Sequence, residues 1–206
     1  MVKLEKLFDF LRTAGKLKNT LRYSEINSDA RRESVADHSW RLSLMVLIVQ
    51  KELSLNLDVD RAVEIALVHD LAESLTGDID AVVIARGEIS SEEKSRNELE
   101  AMLKIKNMLP ESSRDRIFEL WQEYEKGITA EAKFVKALDK LETITQLIEM
   151  GHRVYDAPDF IATYADKYIE NFPELIPMLR IIKIKLKSEY EKGGLEWRES
   201  YNKFLK

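Results

Sequence analysis

Apolar residues return at helical spacing along almost the whole chain, and no segment sustains the every-second-residue alternation of a half-buried strand. Leu4, Leu7, Phe8 and Leu11 stand at i, i+3, i+4 and i+7. Ser34 and Asp37 are spaced as a capping box and open a helix that the apolar pattern carries to about Leu53. Asp58 or Asp60 caps a third helix, nearly all apolar through Ala62, Val63, Ile65, Ala66 and Leu67, which is expected to run to Leu75 and stop at Thr76-Gly77. Ser90 with Glu93 opens another, ended by Pro110. Ile117 to Tyr124 marks the next, ended by Gly127. Thr129 begins a long helix ended by Gly151, Asp156 or Pro158 a short one, and Pro173 to Lys192 forms the last, before Gly193-Gly194. Trp197 and Phe204 predict that the final residues dock on the body. The polar stretch from Lys16 to Glu33, with Asn27, Ser28 and Asp29 as turn formers, reads as a long surface loop and so as a functional one. Only the β-branched stretch Ile79 to Ile84 leaves room for a short strand. The expectation is one all-α domain over residues 1–206, with a motif-bearing core at about 5–150 and C-terminal helices at 155–206.

Composition narrows the chemistry. At 206 residues the chain can bury roughly 70% of its unfolded surface without staples. It has no cysteine, which removes disulfides, thiolate metal sites and a cysteine nucleophile, and fits a reducing cytoplasm. With 32 Lys+Arg against 37 Asp+Glu, the net charge of −5 is a poor footprint for duplex nucleic acid or an anionic membrane. The longest apolar run, Leu44 to Val49, is far short of the ~20 residues of a membrane span. Charges at Lys3, Glu5, Lys6 and Asp9 do not fit a signal peptide. Neither GxGxxG, nor GxxxxGK[ST], nor GxSxG occurs.

Polar residues within the apolar helices carry what chemistry can be read. Ala66-Leu67-Val68-His69-Asp70-Leu71-Ala72-Glu73 sets a histidine and two acids in the most apolar helix, a costly burial unless something pairs them. His69 and Glu73 are i, i+4, and Asp70 and Glu73 are i, i+3, so all three can share a face, and Asp78 follows just past the Gly77 turn. A divalent cation is the economical partner. A core His69 beside solvated acids is the plain alternative. His38 lies just inside another helix start. Asp139 lies mid-helix between core leucines, where it either turns inward or pairs with Lys133, Lys136 or Lys140. His152, after Gly151, suits a surface cap at a helix C-terminus.

The order His … His-Asp … Asp resembles the HD-domain metal-dependent phosphohydrolases, and within them the branch that includes the 5′-deoxynucleotidases. The matching stretches are Arg32-Glu33-Ser34-Val35-Ala36-Asp37-His38-Ser39, then Ala66 to Glu73 with Thr76-Gly77-Asp78-Ile79, then Lys136-Ala137-Leu138-Asp139-Lys140-Leu141-Glu142. The helix from Glu92 through Glu98 to Met102 is similar too. The resemblance implies an HD-domain helical bundle in which His38, His69, Asp70 and Asp139 ligate one divalent cation (Mn, Co, Zn, Ni, Fe or Mg). It implies Glu73 and Asp78 as catalytic acids and Arg22 as the arginine that meets a substrate phosphate, with Lys18 or Arg32 adding to it. Tyr23 stands where the branch usually carries tryptophan, and the extra histidines of two-metal relatives are missing. The implied reaction is release of phosphate from (deoxy)nucleoside 5′-monophosphates by a metal-activated water, in a cytoplasmic enzyme whose partner is a small nucleotide. A nucleotide triphosphohydrolase, a cyclic-phosphate phosphodiesterase and a non-catalytic metal- or nucleotide-sensing module are the alternatives. Trp121, Tyr124 and the apolar face of Pro173 to Leu186 exceed what one core is expected to cover, so a homodimer is expected.

Overall fold

The computed structural model describes residues 2–23 and 32–205. The expected turn at Asn27, Ser28 and Asp29 lies outside the described residues. Helix α1 (Val2–Ala14) runs into a 3-10 turn, Gly15–Lys18, and α2 spans Val35–Glu52. They are followed by α3 (Val59–Val68), the single turn α4 (Glu73–Thr76), α5 (Ala81–Ala85), α6 (Ser91–Met108), α7 (Glu111–Lys126) and α8 (Ala130–Met150). The C-terminal part comprises α9 (Pro158–Thr163), α10 (Asp166–Glu170) and α11 (Ile176–Gly193). Among the described residues there is no strand, only a single antiparallel bridge between Leu21 and Ser34. Ile79 to Ile84 is therefore no strand. Asp80 accepts from the Val82 amide and caps α5 instead.

Helix α8 is the axis on which the others pack: α2, α3, α7, α10 and α11 all lie against it. Phe134, Val135, Leu138, Leu141 and Ile144 bury essentially all their surface there, each stabilising the fold by about 1.5–3 kcal/mol. Local chemistry sets the ends. Ser34 and Asp37 form a full reciprocal capping box on α2, Asp58 accepts from the Arg61 amide at the start of α3, and Gly127 closes α7 in the left-handed conformation.

The third helix departs from the expected continuous run to Leu75. It ends at Val68, and the next residues wind more tightly. The Leu71 amide donates to the Val68 carbonyl at 3.0 Å, that of Glu73 to Asp70 at 3.0 Å and that of Leu75 to Ala72 at 2.9 Å. These i→i+3 bonds give three residues per turn and set side chains three apart one above the other. Asp70 and Glu73 are such a pair.

The stretch after α1 is tied at both ends. The Arg22 amide donates to the Glu33 carbonyl at 3.0 Å and the Val35 amide to the Thr20 carbonyl at 2.9 Å, so Arg22 and Glu33 are delivered together to the N-terminus of α2. At the other end of the chain, Trp197 and Phe204 do pack on the body. Trp197 meets the Tyr190 ring edge-on at 5.1 Å. The amine of Lys183 on α11, almost wholly buried, holds Asp166 of α10 at 2.8 Å and the Tyr201 carbonyl at 3.0 Å.

Trp121 and Tyr124 are buried within the chain's own core, as are Leu179, Ile182 and Leu186 of α11. On the outer side of α11, Ile181 and Ile184 stay exposed.

Candidate metal centre

Three segments converge at the C-terminal end of α3. His38 and His69 are fully or almost fully buried, and Asp139 is 3% exposed. One ligand atom from each of these three lies within 4.8 Å of the other two. Asp70 completes the ring: its Oδ2 is 3.0 Å from His69 Nε2 and 3.9 Å from His38 Nε2, while Asp139 Oδ1 is 3.3 Å from His38 Nε2. Asp139 thus turns inward. It also pairs with Lys140 at 2.7 Å, so the two readings open in the sequence are both realised.

The chemistry of this donor set fits a cation. His69 Nδ1 lies 2.8 Å from the Ala66 carbonyl, which can only accept, so that nitrogen carries the proton. His38 Nδ1 makes a short bond to the Glu142 carboxylate. Each ring then aims the lone pair of Nε2 inward, and both Nε2 atoms are buried without a hydrogen-bond partner. Two lone pairs facing two carboxylates repel unless a positive charge lies between them. Imidazole and carboxylate together suit the borderline divalent metals. Burial alone would raise the Asp70 and Asp139 carboxyls. For Asp70 the adjacent His69 wins, and for Asp139 the Lys140 amine and His38 win, so both fall below the ordinary carboxylate range. Against burial and Arg22, and with no cation between the acids, Glu142 and Asp139 lift the His38 imidazole to about 9, a proton then standing in for the missing positive charge.

A second triad, Glu33, His38 and Glu142, also brings three possible ligand atoms together. Here the chain supplies its own cations. Arg22 Nη1 lies 3.0 Å from Glu33 and 3.2 Å from Glu142, and Arg22 Nη2 donates to Thr143 at 3.0 Å. Arg41 reaches Glu142 at 2.6 Å, Glu33 at 3.4 Å and Glu149 at 2.7 Å. Against burial, His38 and the two arginines hold the Glu142 carboxyl down at about 2. Burial and the nearby Glu142 lift Glu33 to about 7.

On the open side, Arg22, His69, Asp70, Glu73, Asp78 and Asp139 line a cavity of about 800 Å³. Its walls include Lys94 and Glu98 of α6, Val82 and Ile84 of α5, and Phe160, Tyr164 and Tyr168 of the C-terminal part. Glu73 is buried and leaves Oε2 without a partner. Burial, then Asp70 and Asp78, push its carboxyl well up, and burial raises Asp78 against the pull of Arg22. Lys18 is exposed and does not line this cavity. The Arg32 guanidinium donates to the Arg22 and Tyr23 carbonyls and so braces that turn. Tyr23 is buried with φ +59°, its ring 5.1 Å from the Arg22 guanidinium carbon. His152 lies apart, half-buried, with Nδ1 3.7 Å from Glu189 and its ring where a side chain on Gly193 would stand. The sequence does not single out Glu33, Glu142, Arg41 or Tyr124 as site residues, and it offers Lys140 only as one of three possible partners of Asp139. The available signal was spacing: Glu142 and Thr143 follow Asp139 by three and four residues, on one face of α8.

The HD domain family profile matches residues 14–174, which carries the match beyond the motifs into α10. The chain is 40% identical over 177 residues to human 5′-deoxynucleotidase HDDC2, covering 84% of this chain and 82% of that one. It is 35% identical over 168 residues to 5′-deoxynucleotidase hdd1 of Schizosaccharomyces pombe, covering 79% and 81%. Among solved structures, a predicted metal-dependent phosphohydrolase from Magnetospirillum magnetotacticum has the same fold, with a TM-score of 0.75 at 24% identity over 95% of this chain and 96% of that one.

Proposed function

The chain belongs to the HD-domain family, and from that premise we propose that it is a metal-dependent phosphohydrolase that releases phosphate from deoxynucleoside 5′-monophosphates. The observation that carries the reading is the pair of unpartnered Nε2 atoms of His38 and His69, facing Asp70 and Asp139 at the floor of a cavity lined by Arg22. These four side chains would hold one divalent cation. When bound, such an ion lowers the pKa of a water and polarises a phosphoryl oxygen.

The chain's own groups do the rest. Glu73, with Oε2 free and its carboxyl pushed up, is the group to orient a water and take its proton. Asp78 stands beside it. Arg22, a planar fork matched to phosphate oxygens, is fixed by Glu33, Glu142 and Thr143 with its face on the cavity. Aromatic and aliphatic side chains at 79–84 and 160–168 provide the volume that a nucleoside needs.

The test is a metal-by-substrate matrix. Metal-stripped protein is reloaded with Mn, Co, Zn, Ni, Fe or Mg and assayed on deoxynucleoside mono- and triphosphates. The expected result is inorganic phosphate from the monophosphate, only with an ion. Release of triphosphate, or no hydrolysis with any ion, overturns the reading.

The exposed stripe Trp40, Leu44, Leu47 and Ile48 on α2 supports a homodimer. A monomer mass by light scattering would remove it. The cysteine-free composition supports a cytoplasmic location. Among the described residues no helix is long and apolar enough to cross a membrane.

A further inference from the structure

Asp139 is held by more than its place on α8. Its Oδ2 accepts from the Tyr124 hydroxyl at 2.6 Å and from the Lys140 amine at 2.7 Å. Its Oδ1 faces His38 Nε2 at 3.3 Å. A carboxylate oxygen has two lone-pair sites, and both of those on Oδ2 are committed. Both donors are themselves fixed. Tyr124 is buried, with its ring 4.9 Å from that of His69 and under the Lys136 amine at 4.0 Å. Lys140 follows Asp139 directly, and adjacent helix residues do not ordinarily face each other. Its long stem folds back instead of extending into water, and the amine lies 5.3 Å and 5.4 Å from the Tyr164 and Tyr168 ring centres.

We propose that Tyr124 and Lys140 are positioning residues that lock Asp139 as a one-oxygen ligand, presenting Oδ1 to the ion and withholding Oδ2. The inference rests on the metal-dependent reading above and deepens it. Withholding Oδ2 keeps one coordination position for water or a phosphate oxygen that a two-oxygen carboxylate would fill. Lys140 also offsets one of the two acid charges in the ligand set, so the loaded site stays attractive to a phosphate dianion.

The experiment measures Mn²⁺ affinity by competition with a chelator for the wild type, Tyr124→Phe and Lys140→Met, alongside kcat and KM for a deoxynucleoside 5′-monophosphate. Tyr124→Phe removes one oxygen and keeps the ring, and thermal unfolding of the metal-free proteins checks that each variant folds. Outer-shell partners of this kind are worth about 10–100-fold in metal affinity, so Tyr124→Phe is expected to bind Mn²⁺ at least about tenfold more weakly, with kcat falling more than KM rises. Lys140→Met also removes a positive charge beside the ion, so its expected mark is a raised KM for the phosphate dianion. Affinity within about twofold of the wild type in Tyr124→Phe overturns the lock and leaves the phosphohydrolase reading standing. A wild-type protein that binds no divalent ion overturns both.

Discussion

The two edges of the His38 ring face the same kinds of side chain and behave differently. At Nδ1, Glu142 and Glu33 are matched by Arg22 and Arg41, and the charges close within the chain. At Nε2, Asp70 and Asp139 have one lysine between them, both imidazoles leave a nitrogen unpaired, and Glu73 leaves an oxygen unpaired. The first edge is a finished structural network and the second is short of positive charge. Acidic residues gathered in a core therefore do not by themselves mark a metal site. The mark is the set that the chain's own cations leave unmatched.

Mutations on either edge test that contrast. The largest effect is expected from His69→Ala or Asp70→Ala, which removes a proposed ligand on the deficient edge. Metal binding should be lost and phosphate release should fall by about 10⁴-fold, the equivalent of several kcal/mol of transition-state stabilisation. Activity surviving Asp70→Ala in metal-stripped protein would break the comparison. Glu73→Gln comes next, with kcat lowered by about 10²- to 10⁴-fold while Mn²⁺ still binds. A matching loss of metal in that variant would move Glu73 into the ligand set. Glu142→Gln reaches across the ring, because it changes the partner of His38 Nδ1. Metal affinity should drop about tenfold or more, read by chelator competition. Arg41→Met should do least to the chemistry: it lowers stability by about 1–3 kcal/mol in denaturant titration and leaves Mn²⁺ affinity as it was. A change in affinity there would show that the two edges are not separable.

The sequence exposed the helices well because their ends are written in local chemistry, as at Ser34 with Asp37, Thr129 and Gly127. It did not expose the break after Val68. Nothing in Val68-His69-Asp70-Leu71-Ala72 forbids a helix, and the tighter winding there belongs to tertiary packing. His38, His69, Asp70 and Asp139 could be suspected one at a time, as polar residues in apolar surroundings, and ordered as a set only through a family resemblance. Glu33, Arg41 and Tyr124 carry no such signal, and Lys140 only that of a possible partner for Asp139. Charged residues and a tyrosine on amphipathic helices look like ordinary solvated or core positions until the partners across α2, α7 and α8 are known. Lys18 shows the converse: a basic residue near Arg22 in sequence that the 3-10 turn leaves on the surface.

The Lys183 amine grips α10 and the chain's last turn at once, through Asp166 and the Tyr201 carbonyl. Since α10 brings Tyr168 to the cavity wall, the carboxy-terminal tail works as a buttress for a chamber it barely enters. Trimming it by half a dozen residues would take away Tyr201 and leave a buried ammonium one acceptor short, so damage inflicted at the far end of the polypeptide would surface as a loosened grip on the substrate.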